Sequence, residues 1–129
     1  MPNGSSRSAR AEGKGASGLF ALGRLKTGQR NKTEALYETM LEDMRIAGDV
    51  LWYRFEGVKL RLADNTFYTP DFAVMLGTGV LEMHEVKGFW QDDARVKIKV
   101  AADLYPFRFI AARPLPKKAG GGWDIEVFE

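Results

Sequence analysis

Two short stretches of this chain hold residue types that could together hydrolyse a phosphodiester. Tyr68-Thr69-Pro70-Asp71-Phe72 places a carboxylate directly after a proline, and Glu85-Val86-Lys87-Gly88 places a second carboxylate two residues from an ammonium group. Side chains two apart on a strand share a face, so Glu85 and Lys87 would point one way and Val86 into the opposite layer. The reaction needs a divalent cation to polarise the phosphate and lower the pKa of an attacking water, with further positive charge to stabilise what develops. Mg²⁺ prefers a few carboxylates, carbonyls and waters in octahedral array. Asp71, Glu85 and the Val86 carbonyl could supply that set, with Lys87 beside it. Pro70 fixes φ and cannot donate to a sheet ladder, which suits a point where paired strands diverge.

The rest of the chain limits the alternatives. A length of 129 residues with 45% apolar content suffices for one modest core. There is no cysteine and a single histidine, His84, so disulfides, thiolate metal sites and multi-histidine zinc centres are excluded. Any metal would sit on oxygen. No stretch approaches the roughly 20 apolar residues of a membrane span, and no apolar leader is visible, so a cytoplasmic setting is expected. The net charge of +2 conceals an asymmetry: residues 1–32 carry seven basic side chains against Glu12 alone, and the remainder carries twelve basic against sixteen acidic. Residues 1–28 are rich in Gly, Ser, Arg and Ala and read as a flexible basic arm, able to release counterions from a nucleic acid or simply solvated.

The elements that must position these groups occupy 29–129. Asn31 with Glu34 has the form of a capping box, and Leu36, Met40, Met44 and Ala47, with Tyr37 and Leu41 beside them, predict a helix over 32–47 that stops at Gly48. Residues 50–55 and 58–62 read as strands. The Ala63-Asp64-Asn65 turn leads into a strand over 66–76, and Gly77-Thr78-Gly79 reverses into one over 80–87, so Asp71 and Glu85 lie on two arms of one hairpin. Residues 92–104 carry conflicting signals: Val96 to Val100 alternate like a strand, but Asp92 and Asp93 at the start, Ala101 and Ala102, and Pro106 beyond the end favour a helix. Strands over 107–112 and 123–128 flank a Pro-, Lys- and Gly-rich loop. The order αββββαββ predicts an α/β domain, a mixed β-sheet flanked by α-helices.

At this point the sequence resembles the PD-(D/E)XK nuclease superfamily, and within it the short phage Holliday-junction endonucleases of the endonuclease I type. The resemblance spans about residues 31–112. Its carriers are Tyr68 to Phe72, the short Gly-containing hairpin, and Glu85-Val86-Lys87-Gly88-Phe89-Trp90 followed by Asp92 and Asp93. It implies a restriction-endonuclease-like fold in which Asp71 and Glu85 bind Mg²⁺ or Mn²⁺ and Lys87 orients water or stabilises the phosphate. A glutamate on the preceding helix usually completes such a site, and Glu34 fits best, with Glu38 one turn later as its competitor. The implied activity is a metal-dependent DNA endonuclease selective for branched DNA, working as a homodimer in a phage-infected or prophage-bearing bacterium.

Each residue also has an ordinary explanation. Asp71 could serve a turn, Glu85 and Lys87 an exposed ion pair, and Glu34 a helix cap. His84 falls on the face of Glu82 and Val86 and reads as structural rather than as a proton carrier. Arg30, Lys32, Arg95, Lys97 and Lys99 are candidate DNA contacts or solvated helix charges. Phe89, Trp90 and Trp123 suit a core as well as a base-stacking platform, and Gln91 could touch the site. A restriction-type or nicking endonuclease and an inactive DNA-binding module are the competing functions.

Overall fold

The computed structural model describes residues 29–87 and 92–129. The basic arm and Gly88, Phe89, Trp90 and Gln91 lie outside the described residues. The chain divides into two units, Met1–Lys32 and Thr33–Glu129, and the account below concerns the second.

Helix α1 (Lys32–Ala47) coincides with the predicted helix and ends where Gly48 takes φ +90°, a left-handed value that glycine adopts without a Cβ clash. Its buried stripe is Tyr37 and Leu41, with Met40 and Met44 packed beside them. Leu36 instead remains 61% exposed, because the sheet meets the helix along Tyr37 and Leu41 and leaves Leu36 on the outer side.

Strand β1 (Val50–Phe55) is followed by a two-stranded hairpin, β2 (Leu60–Ala63) and β3 (Thr66–Tyr68). Strands β4 (Phe72–Leu76) and β5 (Leu81–Val86) form the next hairpin, tightened where the Leu76 amide donates to Val80. Gly77 is required in that reversal: a Cβ there would stand 2.6 Å from the Gly48 carbonyl oxygen, and the Gly77 amide donates to Asp49. Helix α2 (Asp92–Leu104) then crosses over to β6 (Arg108–Pro114), and β7 (Trp123–Phe128) returns beside it after a 3₁₀ turn at Lys117–Ala119.

The principal sheet runs β1-β4-β5-β6-β7, with β5 and β6 parallel and the other pairs antiparallel. Among the described residues the fold is therefore α/β, with a mixed five-stranded sheet, a two-stranded hairpin and two α-helices. Two expectations need correction. The strand expected over 66–76 is interrupted at Thr69-Pro70-Asp71, so β3 joins the small hairpin and β4 the main sheet. Pro70 lacks the amide that a continuous ladder would need. The element order consequently gains a strand, αβββββαββ. Strand β6 also runs to Pro114, two residues beyond its expected end.

The sheet has a core on each face, as the pleat requires. Phe72, Val74 and Val86 turn toward α1 and join Tyr37, Leu41, Val50 and Phe55. Ala73, Met83, Phe109 and Ala111 turn toward α2 and join Ile98 and Ala101. Burying side chains of the size of Phe72 or Phe109 stabilises the fold by roughly 1.5–3 kcal/mol each. Among the described residues no helix is long and apolar enough to cross a membrane.

Candidate active site

Asp71 lies in the gap that Pro70 opens between β3 and β4. Its backbone carbonyl accepts the Glu56 amide at 2.7 Å, and its Oδ2 accepts the Val86 amide at 2.8 Å. The residue is thus pinned from the β1 side through its main chain and from the β5 side through its carboxylate. The Val86 amide turns to Asp71, whereas its ladder neighbour Lys87 donates to Ala112 on β6. Amide and carbonyl of one strand residue point the same way, so the Val86 carbonyl is also directed to the Asp71 side.

Glu85 is only 6% exposed. Its Oε1 accepts a 2.6 Å hydrogen bond from the Tyr68 hydroxyl and its Oε2 lies 3.1 Å from Lys87 Nζ. Tyr68 closes the small hairpin, which α2 holds in place: Tyr105 Oη donates to the Arg61 carbonyl at 2.6 Å and Lys97 Nζ to the Phe67 carbonyl at 3.3 Å. A buried, hydrogen-bonded carboxylate paired with an ammonium is therefore supported by groups from three elements.

The electrostatics bind these groups into one unit. Burial, then the charge of Glu85, pushes Asp71 up to about 8; the Val86 amide and Lys87 oppose the rise and Glu34 adds to it. Burial works against the Lys87 ammonium, yet Glu85, Asp71 and Glu34 outweigh it and hold its pKa above the usual lysine value. Lys87 thus stays charged near neutrality and can stabilise an anion but not take up a proton. Burial and Glu85 also raise the Tyr68 phenol, which keeps it a donor.

Comparison with protein-family models, curated proteins and solved structures gives no match.

The helix glutamates separate clearly. The charge of Glu34, in the first turn of α1, acts on Asp71 and Lys87, whereas that of Glu38 acts on Tyr53. Glu85 and Lys87 are in direct contact, Asp71 is bonded to the residue between them, and Glu34 is felt there through its charge. Among the described residues no three His, Asp or Glu side chains form a ready-made metal cluster. The donor set suited to a hard cation is two carboxylates and the Val86 carbonyl, with Glu34 at its border. Two mutually repelling carboxylates in a partly buried place are the electrostatic arrangement that a divalent cation relieves.

Arg30 and Lys32 are exposed. The basic candidates on α2 do not share one surface. Arg95 and Lys99, one turn apart, both act on Glu126 of β7, whereas Lys97 reaches the opposite flank at Phe67. Residues two apart on a helix point to opposite sides, which places Lys97 across α2 from Arg95 and Lys99. His84 is buried on the α1 face: Tyr37 Oη lies 2.6 Å from its Nδ1, and its Nε2 lies 2.8 Å from Glu82, which Arg108 approaches at 3.4 Å. Trp123 packs edge-on against Tyr37, a core role. Sequence reasoning assigned no role to Tyr68, although it stands in the same motif; its three-residue separation from Asp71 does not reveal that its hydroxyl reaches Glu85.

Proposed function

We propose that this chain is a metal-dependent DNA endonuclease with a restriction-endonuclease-like core, selective for branched DNA. The observation that carries the reading is the convergence of Asp71, Glu85 and Lys87 at one end of β5, with the Asp71 carboxylate fixed by the Val86 amide and Glu85 fixed by Tyr68. The αβ order around a mixed sheet fits the same family likeness that the sequence motif suggested.

Asp71, Glu85 and the Val86 carbonyl would hold Mg²⁺ or Mn²⁺. Such an ion supplies Lewis acidity toward a phosphate oxygen and lowers the pKa of a water. The chain's own groups do the remainder. Lys87 presents permanent positive charge where the phosphate gains negative charge. Tyr68 and the Val86 amide fix the two carboxylates, so little reorganisation is needed as the reaction proceeds. Glu34 adds negative charge that favours cation capture.

Cutting a four-way junction symmetrically calls for two such sites at a fixed separation, which a homodimer supplies most simply. The deciding experiment incubates the protein with a labelled four-way junction and a duplex of the same arm sequences, with Mg²⁺, Mn²⁺ or EDTA. Metal-dependent cutting with preference for the junction is expected, and Asp71→Asn, Glu85→Gln and Lys87→Ala should each lower turnover at least a hundredfold while DNA binding persists, about 2.7 kcal/mol of transition-state stabilisation. Full activity in any of the three defeats the site assignment. Equal cutting of linear duplex defeats the junction reading alone.

A further inference from the structure

Beside Lys87 the sheet carries a second group of charges that the cleavage chemistry does not use. Ala111 on β6 lies opposite Glu85 on one side and Glu126 on the other, and Arg113 lies opposite Asp124. These positions share the α2 face with Lys87. Because Ala111 ends at Cβ, β6 leaves on this face a hollow of about 220 Å³ bordered by Lys87, Arg95, Arg113, Asp124 and Glu126. Of its three cations Lys87 is paired with Glu85, and the two arginines face Asp124 and Glu126.

Both arginines are already engaged. Arg95 forks onto Glu126 at 3.0 and 2.6 Å, and Arg113 Nη2 lies 3.1 Å from Asp124. All four side chains are partly exposed. The single-contact Arg113–Asp124 pair, about half exposed, is of the kind that contributes below about 1 kcal/mol, so an incoming anion can exchange for that carboxylate at small cost, whereas the Arg95–Glu126 fork is the stronger of the two. A guanidinium fork presents to phosphate the same paired donors that it presents to a carboxylate. Five of the seven residues that border the hollow are charged, which suits an anion better than an apolar side chain. Neighbouring strands are about 4.8 Å apart, so an anion held at Arg113 on β6 sits one strand from a phosphate held at Lys87 on β5.

We propose that this hollow binds the phosphodiester next to the one that is cut, with Arg113 and Arg95 as its donors and Asp124 and Glu126 as the carboxylates they release when DNA arrives. This rests on the endonuclease reading for the identity of the strand, but the anion site stands on its own geometry. The two carboxylates would act as stand-ins that keep the arginines extended toward the hollow and weaken binding to any polyanion that does not reach both.

The test measures binding of a labelled junction to the full chain in EDTA over a series of salt concentrations, together with side-chain Nε–H signals of Arg95 and Arg113 during titration with inorganic phosphate. Arg113→Gln and Arg95→Gln should each weaken DNA binding about three- to tenfold at low salt and reduce the slope of log K against log salt by about 0.9. Arg113→Lys keeps the charge and should retain the slope while losing part of the affinity, which guards against a variant that merely unfolds. Glu126→Gln should tighten DNA binding, an effect opposite to that of losing a structural ion pair. Unchanged affinity and slope in both arginine-to-glutamine variants would overturn the proposal, and a response to inorganic phosphate alone would then mark a free-anion site. If the arginine effects appear in a protein that cuts no DNA, the endonuclease reading falls and the anion site remains.

Discussion

The Tyr68 hydroxyl donates to Glu85 Oε1 at 2.6 Å, so a residue of the small β2–β3 hairpin holds a carboxylate of the main sheet. Removing the hydroxyl leaves Glu85 buried with Lys87 as its remaining named partner. Tyr68→Phe should destabilise the fold by about 1.5–3 kcal/mol, the usual value for a hydrogen bond to a charged group. On the proposed function it should also lower turnover roughly tenfold with little change in DNA affinity, since the proposed metal ligand Glu85 loses its orientation. Chemical denaturation and single-turnover cleavage measure the two effects, and a wild-type turnover would show that Tyr68 only packs.

The position of Asp71 predicts a pH-dependent response to metal. Its folded pKa is raised from 3.8 to about 8, so its contribution to stability is fully present below about 4 and is lost as pH rises through about 8. A divalent cation binds the deprotonated form and offsets that loss. Millimolar Mg²⁺ or Mn²⁺ should therefore raise the melting temperature more at pH 8.5 than at pH 6, and this difference should vanish in Asp71→Asn. Equal shifts at the two pH values, followed by scanning fluorimetry, would separate the cation from Asp71.

On the opposite face, the chain Tyr37–His84–Glu82 joins α1 to β5 through buried polar groups. Tyr37→Phe leaves the His84 nitrogen without that hydroxyl and should cost about 1–3 kcal/mol. Because the two side chains are in direct contact, a coupling energy of at least about 0.5 kcal/mol is expected between Tyr37→Phe and His84→Leu in a double-mutant cycle. Strict additivity of the two would mean that the hydroxyl and the imidazole stabilise the fold independently.

Deleting residues 1–28 removes five basic residues and Glu12. The shortened chain should retain its melting temperature, because the deleted stretch has few large apolar side chains to bury. Its DNA affinity should fall, and its salt dependence should flatten by up to about 0.9 for each lost phosphate contact. Identical slopes for the two proteins, compared by fluorescence anisotropy, would show that the deleted residues touch no DNA.

Much of the scaffold was legible because local signals agreed with one another. Helical periodicity and Gly48 mark α1, the flanking acids, alanines and Pro106 mark α2, and the Gly77-Thr78-Gly79 reversal pairs β5, which carries Glu85, with β4, although Asp71 itself lies just before β4 rather than on the hairpin arm expected for it. The break at Pro70 was foreshadowed as a divergence, but not that it would send β3 and β4 to different sheets, because pairing partners are fixed by distant strands. Glu34 and Glu38 share one face of α1, so which of them stands nearer the end of β5 depends on which turn of the helix lies there, and a capping pattern says nothing of that. Arg95 and Glu126 are 31 residues apart and meet only through the parallel crossover. Sequence periodicity describes the faces of single elements, whereas these contacts depend on how the elements are stacked.

The Lys87 amide bonds to the Ala112 carbonyl, and Glu85 and Ala111 are partners across a parallel pair that α2 must bridge. The β4–β5 hairpin can close quickly by itself, but the strand that fixes the backbone of Lys87 is synthesised some 25 residues later. Parallel pairing of this kind is slow because loop closure precedes any gain from contact. On the ribosome, the carboxylates and the ammonium would be present before the backbone is held in register, so a nascent chain would contain every reactive group and still lack a formed site until β6 has emerged.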